Sequence, residues 1–145
     1  MGYTILLIDD DSDDRAFFRD AVEEVSRGDI TCVTLDDVQA MVSALLDRNE
    51  KKPDVIFTDI NMPATSGWEV LTMLKEHDSV KKIPVIMYST SEDRDAVIRA
   101  KKMGALCYLV KPHDFVHLKQ VMREVAGHIR NGSLTSILNG PSGFL

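Results

Sequence analysis

Apolar positions along this chain follow two alternating rhythms. Short runs of aliphatic and β-branched residues, Thr4–Ile8, Ile30–Leu35, Val55–Thr58, Val85–Tyr88 and Leu106–Val110, have the length and composition of buried strands. Between them the apolar residues recur at i, i+3, i+4 and i+7, the stripe of an amphipathic helix. The stripes are Phe18, Ala21, Val22 and Val25; Val38, Met41, Val42, Leu45 and Leu46; Trp68, Leu71 and Leu74; and Phe115, Leu118, Met122, Val125 and Ile129, while a further helix over Asp93 to Met103 is read from the Ser89–Glu92 lead-in before it and Gly104 after it. The punctuation agrees with this division. Ser12, Asp13 and Asp14 open the first helix, Gly28 is placed to end it, and Asp36 is placed to cap the second. Lys51-Lys52-Pro53 turns into the third strand, Gly104 stops the fourth helix, and the last helix starts at Asp114. Five strands alternating with five helices predict right-handed crossovers and a five-stranded parallel sheet covered on both faces, a doubly wound three-layer α/β/α fold.

Length and composition add limits. At 145 residues the chain is expected to be one domain, burying roughly two thirds of its unfolded surface. A net charge of −6 argues against a nucleic-acid surface, which would be basic. No apolar run approaches the roughly 20 residues of a membrane span, and the N-terminus lacks a signal-peptide profile. Cys32 and Cys107 lie inside strand-like runs, so free thiols, no disulfide and a cytoplasmic setting are expected. Residues 1–130 are read as the folded domain. Residues 131–145 turn Gly/Ser-rich and read as a tail too short for a second domain, with no output domain behind it. Leu134, Ile137, Leu138, Phe144 and Leu145 are apolar enough to dock, on the body or at an interface; the sequence leaves both open.

In an open α/β sheet, ligands bind outside the carboxyl ends of the strands. The first strand is followed by Asp9 and Asp10, the third by Asp59, the fourth by Ser89 and Thr90, and the fifth by Lys111. Carboxylates converging at one sheet end repel one another and raise one another's pKa values. A hard divalent cation with oxygen ligands relieves that, and Mg²⁺ suits a few carboxylates plus phosphate and water. Lys111 adds a point charge, and Ser89 a hydroxyl able to donate to a phosphoryl oxygen. Asp11, Asp13 and Asp14 are read as residues favoured at a helix N-terminus, with no chemical role. His113 and His117 lack a third ligand at matching spacing and read as a surface pair.

Taken together, ILLIDD, VIFTDINMP with Gly67, YST after the fourth strand and GALCYLVKP make the chain resemble the receiver domain of bacterial two-component response regulators, in its stand-alone form, over about Tyr3 to Arg130. The resemblance implies a flavodoxin-like fold with strand order 2-1-3-4-5. It implies that Asp59 accepts a phosphoryl group from a phosphohistidine on a sensor histidine kinase or a histidine phosphotransfer protein. Asp10 and Asp59 would ligate Mg²⁺ directly, Asp9 through water, and Asn61 through its backbone carbonyl. Lys111 would pair with a phosphoryl oxygen, and Pro112 would carry a cis peptide bond. Ser89 and Tyr108 would form the switch: the Ser89 hydroxyl moves toward the phosphate and Tyr108 turns inward. Asn61 and Ser91, polar and fairly small, leave room for water, so the phosphate should decay unaided. The signal would leave through the fourth helix, fifth strand and fifth helix, toward a target protein, a homodimer or a further relay. Two rivals remain. A Mg²⁺-dependent phosphohydrolase would need an acid two residues beyond its nucleophile, where this chain has Asn61. A receiver-like scaffold that is never phosphorylated would lack an acid or the lysine, and none is lacking.

Overall fold

The computed structural model describes residues 2–139 and 143–145. Five strands and five helices alternate along them: β1 Tyr3–Ile8, α1 Ser12–Val25, β2 Ile30–Leu35, α2 Val38–Leu46, β3 Val55–Asp59, α3 Gly67–Glu76, β4 Val85–Ser89, α4 Arg94–Lys102, β5 Cys107–Val110 and α5 Phe115–Asn131. All strand pairs within the sheet are parallel, and its order is β2-β1-β3-β4-β5. Strand and helix limits agree with the apolar rhythm to within a few residues. One cap moves: Asp37, not Asp36, is extended and accepts from the Gln39 N–H at 2.8 Å.

The two-residue period of a strand divides the core in two. Ile5, Leu7, Val55, Phe57, Ile86, Tyr88, Cys107 and Leu109 face α1 and α5. Their neighbours Leu6, Ile8, Ile56, Val85, Met87 and Tyr108 face α2, α3 and α4. Both faces are therefore covered, which is why these strands read as continuous apolar runs. Neither cysteine is in a disulfide, and burial pushes both thiols up to about 12. No helix among the described residues is long and apolar enough to cross a membrane.

The C-terminal residues pack on the body. Gly132, at φ 65°, ends α5, and a 3-10 segment, Leu134–Asn139, follows it. Leu134, Ile137 and Phe144 are buried in the core beneath α1 and α5, while Leu138 and Leu145 stay exposed. Leu145 exchanges two backbone hydrogen bonds with Tyr108, of 2.7 and 2.8 Å, in an antiparallel bridge along the outer edge of β5. An open sheet edge is a row of unpaired donors and acceptors, so this contact satisfies part of it. Residues 140–142 of the expected tail lie outside the described residues.

Candidate functional site

Strand order reverses between β1 and β3, because β1 pairs with β2 on one side and β3 on the other. That reversal opens a crevice at the carboxyl ends of the two strands. The last paired residues are Ile8 and Thr58, so Asp9 and Asp59 emerge side by side. Beyond them, Asp59 pairs with Tyr88, and Ser89 pairs with Val110, which delivers Lys111 to the same end. Oxygens of Asp9, Asp10 and Asp59 all lie within 4.8 Å of one another. Asp9 is fully buried and Asp59 nearly so, at 6% exposure, whereas Asp10 is open to solvent. Asp10, Asp11, Ser12, Asp14, Asp59, Asn61, Thr90 and Lys111 line the open basin above them.

Local folding fixes each acid. Asp11 caps α1 by accepting from Asp13 and Asp14, and its own N–H donates to Asp9 Oδ1 at 3.0 Å. The Arg15 guanidinium donates to the Asp9 carbonyl at 2.9 Å. After β3, Gly67 N–H donates to the Ile60 carbonyl at 2.8 Å, folding the loop back on itself. A Cβ at Gly67 would stand 2.3 Å from the Asp59 carbonyl oxygen, so only glycine lets α3 start this close to the strand end.

The electrostatics are those of a crowded acidic site with one lysine among its lining side chains. Burial lifts the Asp59 pKa to about 6; Lys111 opposes this, Asp9 adds to it, and the Asn61 N–H opposes it. The Lys111 ammonium lies 3.0 Å from Asp9, 2.8 Å from Asp14 and 3.6 Å from Asp59. Burial costs the lysine its charge, but the hydrogen bonds to Asp14 and Asp9 outweigh that and hold its pKa above the usual value. It also stands 5.2 Å from the centre of the Tyr88 ring. That ring packs edge-on against Phe18 and Phe57, which floors the site with aromatic carbon.

The structure brings Asp9, Asp10, Asp59 and Lys111 together as the strand pattern anticipates. It adds Asp14, which from the sequence reads as a helix-start acid with no chemical role, together with Arg15 and Tyr88. Asp14 followed Asp11 and Asp13 in a run of helix-start acids, and nothing local marks which of them crosses to β5. Ser89 is 1% exposed and does not line the basin; its Oγ accepts from the Ser91 N–H at 3.2 Å. Tyr108 already stands inward, fully buried, with its hydroxyl donating to the Ser91 carbonyl at 2.8 Å. Strand alternation turns it toward α4, where that carbonyl is the acceptor.

One expectation is corrected. Every described peptide bond is trans, including Lys111–Pro112, where a cis bond was expected. The trans isomer is intrinsically favoured by about 0.5–1 kcal/mol. With it the Lys111 N–H still reaches the Ser89 carbonyl at 2.7 Å and its ammonium still reaches the acids, so the site's contacts do not call for the rarer isomer. His113 and His117 are both exposed, and His113 precedes α5, so they do not share a helical face.

Comparison with known proteins agrees with this geometry. The chain is 31% identical to the response regulator Rcp1 of Synechocystis over 127 residues, which are 85% of this chain and 84% of Rcp1. It is 32% identical to the phosphate regulon transcriptional regulatory protein PhoB of Pseudomonas aeruginosa, but spans only 53% of that protein's length. Among solved structures, the phosphorylated cyanobacterial phytochrome response regulator RcpA superposes with a TM-score of 0.80 at 26% identity, covering 91% of this chain and 96% of RcpA. The Mn²⁺-bound form of Rcp1 gives a TM-score of 0.74 at 29% identity, covering 86% and 92%. The family model for the response regulator receiver domain matches residues 5–123. With most of its length matched in this way, the chain belongs to the response regulator receiver domain family.

Proposed function

We propose that this receiver takes up a phosphoryl group on Asp59. The observation that carries the reading is the convergence of Asp9, Asp10 and Asp59 within 4.8 Å at the strand-order reversal, with Lys111 reaching across from β5. The donor is a phosphohistidine of a sensor kinase or a phosphotransfer protein. An Asp59 oxygen attacks the phosphorus in line, a P–O bond forms as the P–N bond breaks, and the imidazole leaves with the electron pair. Such a transfer needs positioning and charge neutralisation more than a base.

Three carboxylates with all-oxygen donors fit a hard divalent cation, Mg²⁺ for preference, held by Asp9, Asp10, Asp59 and the Asn61 carbonyl. It would supply positive charge opposite the developing phosphoryl oxygens. The rest is the chain's own work. The hydrogen bonds to Asp9 hold one acid in place, Lys111 offers an ammonium to a phosphoryl oxygen, and Asn61 and Ser91 leave room for water, so the acyl phosphate decays unaided. Asn61, two residues beyond the acceptor, has no acid to lend, which sets this site apart from a phosphohydrolase.

The readout runs through the loop after β4. Ser89 lies outside the basin lining, so bringing its hydroxyl to a phosphoryl oxygen shifts the loop to which the Ser91 N–H ties it. Ser91 in turn accepts from Tyr108, so a shift of this loop changes the Tyr108 contact. The signal then leaves through α4, β5 and α5 toward a target protein or a second copy. Part of that face is already engaged by Leu145 on β5. Free thiols and the absence of a spanning helix among the described residues suit a cytoplasmic setting.

Incubating the chain with acetyl phosphate and Mg²⁺, then weighing the intact protein, tests this. The expected result is a gain of one phosphoryl group that requires the metal and disappears in Asp59→Asn. No gain would favour an unphosphorylated scaffold, and steady turnover of unrelated phosphoesters would favour a hydrolase.

A further inference from the structure

Lys111 is anchored by more than the three-acid cluster. Its shortest contact is to Asp14 Oδ2 at 2.8 Å, ahead of Asp9 Oδ2 at 3.0 Å. Asp59 Oδ1, at 3.6 Å, lies beyond hydrogen-bond reach. Asp14 belongs to the first turn of α1, yet it does not serve that helix as a cap. Asp11 caps the helix, and Asp14 crosses instead to the end of β5, a separation of 97 residues in sequence. The Lys111 side chain is 11% exposed, against 40% for Asp14, so the lysine is fixed in the site while its partner sits at the rim.

We propose that Asp14 is a positioning residue that competes with Asp59 for Lys111 and so sets how readily the receiver takes up and keeps its phosphoryl group. The proposal rests on the reading of Asp59 as phosphoacceptor. A phosphoryl group on Asp59 adds negative charge and acceptor oxygens where Lys111 falls short of a hydrogen bond. To reach them, the ammonium has to lengthen or give up its bond to Asp14. The Asp14 carboxylate also lines the basin that the phosphoryl group must enter, and like charges repel. Both effects favour the unphosphorylated chain. Because Asp14 is at the rim, water rehydrates it once it is released, which keeps the effect moderate.

Asp14→Asn keeps the shape and removes the charge, and Asp14→Glu keeps the charge. Each full-length variant is held at a fixed acetyl phosphate and Mg²⁺ concentration. Intact mass gives the ratio of phosphorylated to unphosphorylated chain, and the decay is followed after the donor is removed. Thermal unfolding verifies that each variant is folded. The expected ratio in Asp14→Asn is about five-fold above wild type, the weight of a partly exposed ion pair. Asp14→Glu stays near wild type, and the gain in Asp14→Asn shrinks in high salt. A folded Asp14→Asn chain with an unchanged or lower ratio overturns the proposal. So does an equal gain in Asp14→Glu, or a gain indifferent to salt. Should Asp14→Asn fail to fold, Asp14→Ser takes its place with the same expectation. A wild-type chain that takes up no phosphate, or an Asp59→Asn chain that takes up as much, defeats the phosphoacceptor reading itself and this proposal with it.

Discussion

Asp59 is a carboxylate that folding makes harder to ionise. Its pKa rises from an ordinary value near 3.8 to about 6, chiefly because it is buried, with Asp9 adding its charge. The folded chain therefore binds more protons at this site than the unfolded chain between those two values. The sign follows: at acid pH the buried group is neutral and carries no charge penalty, and as pH rises through about 6 the buried charge destabilises the fold, by of order 3 kcal/mol. In metal-free buffer, Asp59→Asn should then unfold a few degrees above wild type at neutral pH, with the gap closing as pH falls toward 4. Thermal unfolding followed by circular dichroism across that range measures it. A gap that widens at low pH would contradict the assigned cause. Adding Mg²⁺ should raise the wild-type midpoint and leave Asp59→Asn nearly unmoved, since the cation relieves the same repulsion. At this scale the sequence was legible where strand ends announce themselves, as at Asp9, Asp10, Asp59 and Lys111. Asp14 was not legible, because one acid in a run of helix-start acids looks like the others until the register of β5 brings a lysine to it. Nor was the trans isomer of Lys111–Pro112, since an X–Pro pair in a turn admits either form.

Elements carry the next level. The loop from β3 to α3 closes only because Gly67 lacks a side chain, so Gly67→Ala must push the Asp59 carbonyl or shift α3. Such overpacking costs about 1–3 kcal/mol. Because the displaced atoms belong to Asp59 and Ile60, Mg²⁺ should also stabilise this variant less than wild type, which denaturant unfolding with and without the metal would report. Apolar runs and stripes located the five strands and four of the α-helices, whereas α4, in which Ala100 is the buried residue, was marked by the turn before it and Gly104 after it. The C-terminal segment escaped that logic. Its apolar residues are sparse and sit in a 3-10 turn and an edge contact, neither of which has a long period to read. Its packing is nonetheless tight: Ile137 is fully buried beside α5. Ile137→Ala should cost about 2–4 kcal/mol in a denaturant melt. A cost near zero would mean that the segment does not stay docked in solution.

At the scale of the molecule, the order β2-β1-β3-β4-β5 makes one crevice, and Asp10, Asp59, Asn61 and Lys111 line it from a strand end or the turn just beyond. The fold and the acid cluster could be anticipated because strict alternation of strand and helix leaves few topologies, and those put all the strand ends together. What the alternation could not supply was the occupation of β5's outer edge by Leu145, which bears on how the α4–β5–α5 face is presented. The account rests on an acyl phosphate forming at one named carboxylate. Phosphorylating the chain with acetyl phosphate and Mg²⁺, reducing it with borohydride and mapping the peptides tests that directly, because reduction converts an aspartyl phosphate to homoserine. The account predicts homoserine at position 59 alone; a modification at Ser89, Thr90 or a histidine, with position 59 untouched, would contradict it.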